Sequence, residues 1–171
     1  MFTKNIIYVD DRDRVVGSGS IEEALKGGHA VRIVRIFIAD IAGKILIQKR
    51  SNKIKNSALK WDQSAGGHVD EGESYLEAAR RELLEEMGIT DVRLKKICKY
   101  FTNDTYGNYT RKRYNIIYHG TYDGEVMIDN NEVSDYRWLT LNELDTWIAN
   151  SRQDFTNGFV EAYAKYRQLY F

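Results

Sequence analysis

Gly67-His68-Val69-Asp70-Glu71-Gly72-Glu73, then seven residues, then Arg81-Glu82-Leu83-Leu84-Glu85-Glu86-Met87-Gly88-Ile89 is the stretch on which the reading of this chain turns. Leu76, Ala79, Leu83 and Met87 recur at helical spacing, which predicts a helix over Ser74 to Met87. Gly88 stands where a left-handed residue closes such a helix. Glu82, Glu85 and Glu86 then fall at i, i+3 and i+4 and share one face, away from the Leu76, Leu83 and Met87 stripe. Like charges at that spacing repel by roughly 0.2–0.5 kcal/mol per pair, and a last helical turn favours cations over a Glu85-Glu86 pair. On the charges alone, a solvated helix face is the simpler reading, with Glu77 and Arg81 as an i, i+4 pair. The other reading is a divalent counter-ion, and hard oxygen ligands suit Mg²⁺ or Mn²⁺.

Outward from the helix, short elements alternate. Ile6 to Val9 and Arg14 to Gly17 read as a hairpin, and Ser20 as the N-cap of a brief helix, Ile21 to Lys26. Val31 to Asp40 and Lys44 to Gln48 read as strands joined at Ala42-Gly43, followed by a polar, basic loop from Arg50 to Lys60. Val92 to Phe101 and Arg113 to Thr121 read as strands around a connecting segment, Thr102 to Lys112. Glu125 to Ile128 and Tyr136 to Leu139 read as further strands, with helices over Leu141 to Ala149 and Phe155 to Leu169. Mixed strands with a few helices give an α+β fold.

At 171 residues the expectation is one domain over 1–171, with a core of about 28–150 flanked by the N-terminal hairpin with its short helix and by a C-terminal helix. Lys+Arg and Asp+Glu both number 25, so no basic footprint for duplex nucleic acid is present. No apolar run approaches a membrane span; the longest, Val34 to Ile41, is interrupted by Arg35 and Asp40. Met1 to Lys4 shows no secretory h-region, and the lone Cys98 points to a reducing, cytoplasmic setting. Oligomeric state is not readable.

The quoted stretch matches Gly-x5-Glu-x7-Arg-Glu-U-x-Glu-Glu-x-Gly-U, with U aliphatic, at every defined position. Chance yields this on the order of once in ten million chains of this length. That pattern is the Nudix box, and the chain resembles the Nudix hydrolase superfamily. The resemblance implies an α/β/α sandwich with a mixed sheet and a catalytic loop–helix–loop. It also implies metal-dependent hydrolysis, with Mg²⁺ as cofactor, of a small-molecule substrate of the nucleoside diphosphate-X type. By that resemblance Glu85 and Glu86 are the principal metal ligands, and Glu82 is a ligand or positions the attacking water. The Gly67 carbonyl completes the shell, and Arg81 and Glu73 hold the carboxylates in place. Glu132, in a late loop, is a further candidate ligand, set against a plain exposed turn glutamate. Arg50, Tyr106 and Arg113 are candidate substrate contacts, since aromatic and basic groups suit a base and phosphates.

Gly43 to Ser51, Trp61 to Ser64 with Gly66-Gly67-His68, Asn131 to Val133 and Trp138 to Thr140 resemble the isopentenyl-diphosphate isomerase-like branch. Isomerase chemistry is therefore the rival reading. That family carries a cysteine directly before the Gly-His pair, where this chain has Gly66. It carries acidic residues on the strand where this chain has Arg111 and Arg113. His29 and His68 resemble its metal-binding histidines, with strand-edge and loop histidines as the bland alternative. A third reading is a catalytically silent nucleotide-binding module, against which the intact box argues.

Overall fold

The computed structural model describes residues 5–170; the reading of Met1 to Lys4 lies outside the described residues. Among the described residues nine strands form one mixed sheet: β1 (Ile6–Val9), β2 (Val15–Gly19), β3 (Ala30–Ala39), β4 (Ile45–Arg50), β5 (Trp61–Asp62), β6 (Ala65–His68), β7 (Lys95–Tyr106), β8 (Tyr109–Thr121) and β9 (Val133–Leu139). The helices are α1 (Ile21–Gly27), α2 (Tyr75–Met87), α3 (Leu141–Asn150) and α4 (Asn157–Tyr170). Strand β3 is the spine, pairing in parallel with β8 and antiparallel with β1, β4 and β6.

Alternation along β3 sorts its residues between two layers. Val34, Ile36 and Ile38 face α2 and pack with Leu46, Ala78, Ala79, Leu83 and Met87. Phe37 and Ala39 face α4 and pack with Ile45, Ile47, Ile117, Phe159, Tyr163 and Tyr166. Helices on both faces make the expected α/β/α sandwich. Each fully buried Leu or Met contributes roughly 1.5–3 kcal/mol, so α2 is anchored chiefly by Leu83 and Met87. Its ends are set locally. The Ser74 hydroxyl and the Glu77 carboxylate form a reciprocal capping box, and Gly88 closes the helix at φ 65°.

Three expectations need correction. Thr102 to Lys112 is not a separate connection but the outer half of the β7–β8 hairpin, which turns between the paired Tyr106 and Tyr109, with Gly107 at φ 59°. Asp104 ties its two strands together through Arg111 and Arg113. Glu125 to Ile128 is not a strand. The Met127 amide donates to the Met87 carbonyl and the Asp129 amide to that of Glu86, so this segment closes the end of α2 instead of joining the sheet. Phe155 precedes α4 and bridges to Trp61.

Candidate active site

The carboxylate row of α2 does not face solvent as its spacing suggested. Glu82 and Glu86 are 9% and 5% exposed, on the same buried face as Ala78 and Ala79, and only Glu85 is exposed. They fit there because β6 presents glycines. A Cβ on Gly67 would lie 2.1 Å from Glu82 Oε1, so the carboxylate rests directly on the strand. One oxygen of Glu86 accepts from Gln48 Nε2 at 2.6 Å and from the Gly66 amide at 3.1 Å.

Arg81 gathers the loop before the helix. Its guanidinium donates to both oxygens of Glu73 (2.6 and 2.9 Å), to the His68 carbonyl (3.0 Å), and to Glu82 (2.8 Å) and Glu85 (3.1 Å). Glu73 also accepts from the Asp70 amide. Arg81 is thus a counter-charge already built into the cluster. One guanidinium does not offset so many carboxylates. Burial raises Glu82 to about 7, against which Arg81 pulls it down, and burial together with Glu82 holds Glu86 well above the usual carboxylate range. Glu132 is close enough to raise both, and is itself raised by burial, Asp129 and Glu85.

Among the described residues no group of three or more His, Cys, Asp or Glu side chains stands ready to hold a metal ion. Arg81 occupies an oxygen of Glu82 and one of Glu85. The donor set nonetheless fits a hard divalent cation. It consists of buried carboxylates with too little positive charge, resting on a strand that offers backbone in place of side chains.

On the other side of β6 lies a cleft of about 290 Å³ lined by Ile33, Arg35, Arg50, Lys60, Gly66, His68, Arg111, Arg113 and the start of α4. Register explains the grouping: Arg35 sits opposite Gly66 and Ile33 opposite His68, while Ile33 also aligns with Asn115, two residues from Arg113. Burial and the surrounding Arg113, Arg111 and Arg35 push His68 down to about 4, so its ring is neutral at pH 7. Two of the candidate substrate contacts, Arg50 and Arg113, line this cleft. Tyr106 does not. Its hydroxyl donates to Asn56 at 3.1 Å and Arg111 lies 4.8 Å over its ring, so it braces the cleft's rim. His29 stacks on Tyr8 beside a different hollow, and Cys98 packs against the α4-side core.

Sequence reasoning missed Arg35, Lys60 and Gln48. Arg35 was legible only as a charge interrupting an apolar strand. It is 7% exposed and donates to Asn115 Oδ1 and Gln63 Oε1, both at 3.1 Å.

The Nudix domain family matches residues 29–159. The chain is 34% identical to isopentenyl-diphosphate Delta-isomerase 2 of Photorhabdus laumondii, over 90% of this chain and 87% of that one. It is 31% identical to an uncharacterized Nudix hydrolase of Pseudomonas aeruginosa, over 78% and 77%. A crystal structure from Deinococcus radiodurans superposes with a TM-score of 0.72 at 26% identity, covering 86% of this chain and 90% of that one. The Nudix domain of Shewanella oneidensis NrtR, complexed with ADP-ribose, shares the fold at a TM-score of 0.65 and 18% identity, over 81% and 87%. The chain therefore belongs to the Nudix family. Within it, this is an isopentenyl-diphosphate isomerase-like member. No helix among the described residues is long and apolar enough to cross a membrane.

Proposed function

We propose that the protein is a metal-dependent hydrolase of a phosphoanhydride bond in a small diphosphate substrate. The observation that carries this reading is the buried Glu82–Glu86 pair lying against Gly66 and Gly67, with a cationic cleft on the far side of the same two glycines. Glu82, Glu85, Glu86 and the Gly67 carbonyl would hold Mg²⁺ or Mn²⁺, with Glu132 as a further ligand. When bound, the ion supplies charge neutralisation on phosphate oxygens and acidifies an attacking water. Arg81 and Glu73 fix the carboxylates, Arg50 binds the scissile diphosphate, and Arg113 is a further substrate contact. Water adds to one phosphorus, the bridging P–O bond breaks, and the bridging oxygen leaves on the other phosphate. The water's two hydrogens are divided between the two products.

The names of the relatives favour the isomerase as a second reading. Two features speak against it. A Cβ at position 66 would stand 2.6 Å from the Val34 carbonyl oxygen, so the backbone has no room for a cysteine there. The chain's one thiol, Cys98, packs half-buried against the α4-side core and does not line the cleft. Isomerisation needs an acid and a base facing each other across the substrate, and β8 offers Arg111 and Arg113. A panel of nucleotide, sugar and isoprenoid diphosphates, assayed for phosphate release with and without EDTA, tests the proposal. Mg²⁺-dependent release is expected, and full activity in a thoroughly chelated sample would overturn it.

A further inference from the structure

The cleft wall carries more positive charge than its own carboxylates offset. Arg35, Arg50, Lys60, Arg111 and Arg113 all line it. Arg111 and Arg113 share the carboxylate of Asp104, with Glu161 also acting on Arg113, and Arg50 reaches Asp62 at 3.6 Å. Arg35 donates its hydrogen bonds to neutral amides, Asn115 and Gln63, and its nearby carboxylate, the buried Asp62, is shared with Arg50. The Nε of Arg113 is buried with no hydrogen-bond partner. A buried donor left without an acceptor costs about 1–3 kcal/mol.

The start of α4 adds to this excess. Thr156 caps the helix, taking the Phe159 amide on its hydroxyl at 3.0 Å, and Asn157 and Gly158 in its first turn line the cleft. A Cβ on Gly158 would lie 2.6 Å from an Arg35 guanidinium nitrogen, so the cation is pressed against the helix's positive end. Asp62, bonded to Thr156, is one carboxylate against both Arg35 and Arg50, so the cations at this helix start still outnumber it, and the Nε of Arg113 beside them has no acceptor.

The rest of the lining limits what that anion can belong to. Among the described residues the cleft is lined by no Phe, Tyr or Trp, and its only large apolar side chains are Ile33 and Val34. Neither a platform for a nucleobase nor a trough for an alkyl chain is offered. Its volume of about 290 Å³ lies at the small end of ligand sites.

We propose that Arg35, Arg113 and the first turn of α4 form a second anion subsite, which takes a phosphate remote from the scissile diphosphate. The substrate is then a compact phosphorylated polyol or sugar diphosphate. The substrate class rests on the cleft being the diphosphate site, whereas the anion subsite does not.

The subsite is tested without turnover. Inorganic phosphate titrated into the metal-free protein should shift the backbone NMR signals of Asn157 and Gly158. Arg113→Gln should weaken that binding at least tenfold, and Arg35→Lys should retain more of it than Arg35→Gln. If Arg35→Gln does not fold, Arg113→Gln decides alone. Unmoved Asn157 and Gly158 signals, or binding unchanged in Arg113→Gln, would overturn the subsite even if diphosphates are still hydrolysed. Calorimetry with 5-phosphoribosyl 1-diphosphate, ADP and isopentenyl diphosphate tests the class. The first should bind at least tenfold more tightly, and Arg113→Gln should abolish the advantage. Equal or tighter binding of ADP or isopentenyl diphosphate overturns it. Failure of the hydrolase reading looks different, since phosphate would still bind while no diphosphate released phosphate with Mg²⁺.

Discussion

Glu86→Gln exchanges one carboxylate oxygen for an amide nitrogen and removes a charge that the fold holds unwillingly. Both hydrogen bonds to the carboxylate, from Gln48 Nε2 and from the Gly66 amide, land on the same oxygen. A glutamine can therefore keep both with its carbonyl and turn its amide to the other side. Because burial and Glu82 already disfavour the ionised form, the metal-free variant should be as stable as wild type or slightly more so. Metal binding should reverse that ranking. An ion at a hundredfold excess over its Kd stabilises a protein by about 2.7 kcal/mol, and by about 0.4 kcal/mol if Kd rises a hundredfold. At roughly 2–4 °C per kcal/mol for a chain of this size, the Mg²⁺-induced rise in melting temperature should shrink from about 5–11 °C to about 1–2 °C. Turnover should fall by a factor on the order of 10² or more. Differential scanning fluorimetry across a Mg²⁺ series, with initial rates on the best substrate of the panel, reads both quantities. Near wild-type turnover at limiting metal would mean that Glu86 is not a ligand.

Stability of the metal-free protein should fall, on the order of a few kcal/mol, as pH rises from about 4.5 through about 7 and the Glu82–Glu86 pair loses protons. The folded values of the pair are raised, so the fold favours the protonated form that higher pH removes. Saturating Mg²⁺ should flatten that decline in urea titrations at pH 5 and 8, and an equal decline with and without metal would refute the assignment. Wild type incubated with isopentenyl diphosphate in D₂O should give neither dimethylallyl product nor deuterium uptake. Gly66→Cys should gain no isomerase activity and should lose about 1–3 kcal/mol of stability to overpacking against the Val34 carbonyl; catalytic isomerisation by either protein would reverse the ranking of the two chemistries. Tyr106→Phe loses the bond to Asn56 while keeping the ring under Arg111. Its KM should rise about two- to tenfold with kcat nearly unchanged, and a fall in kcat instead would place Tyr106 at the reacting atoms.

How much was legible depended on whether a residue's role could be read from its neighbours in the chain. The α2 stretch was legible because its spacing, its cap at Gly88 and its charges all lie within one segment. Its burial was not, since Glu82 and Glu86 turn inward only because Gly66 and Gly67, on a strand paired to β3, leave space beneath them. The outer β7–β8 hairpin carries polar side chains on both faces, which erases the period-two signal of a half-buried strand. Val126 and Ile128 alternate as a strand would and do pack on the core, but the segment's amides are taken by the last carbonyls of α2. Arg35 gains its meaning from Gln63, Asn115 and Gly158, none of them near it in sequence.

Two glycines join the halves of the site. Gly67 turns toward α2, where its missing side chain admits the Glu82 carboxylate, and Gly66 turns toward Arg35. A side chain at 67 would evict the carboxylate, and one at 66 would strike the Val34 carbonyl and the Gln63 amide that holds Arg35. The same pair therefore lets negative charge collect on one face of β6 and positive charge on the other, within one strand of each other. In the proposed reaction a metal cation belongs to the first and phosphate oxygens to the second. The backbone that leaves no room for a cysteine at position 66 leaves room for the charge separation that the proposed phosphoanhydride hydrolysis needs.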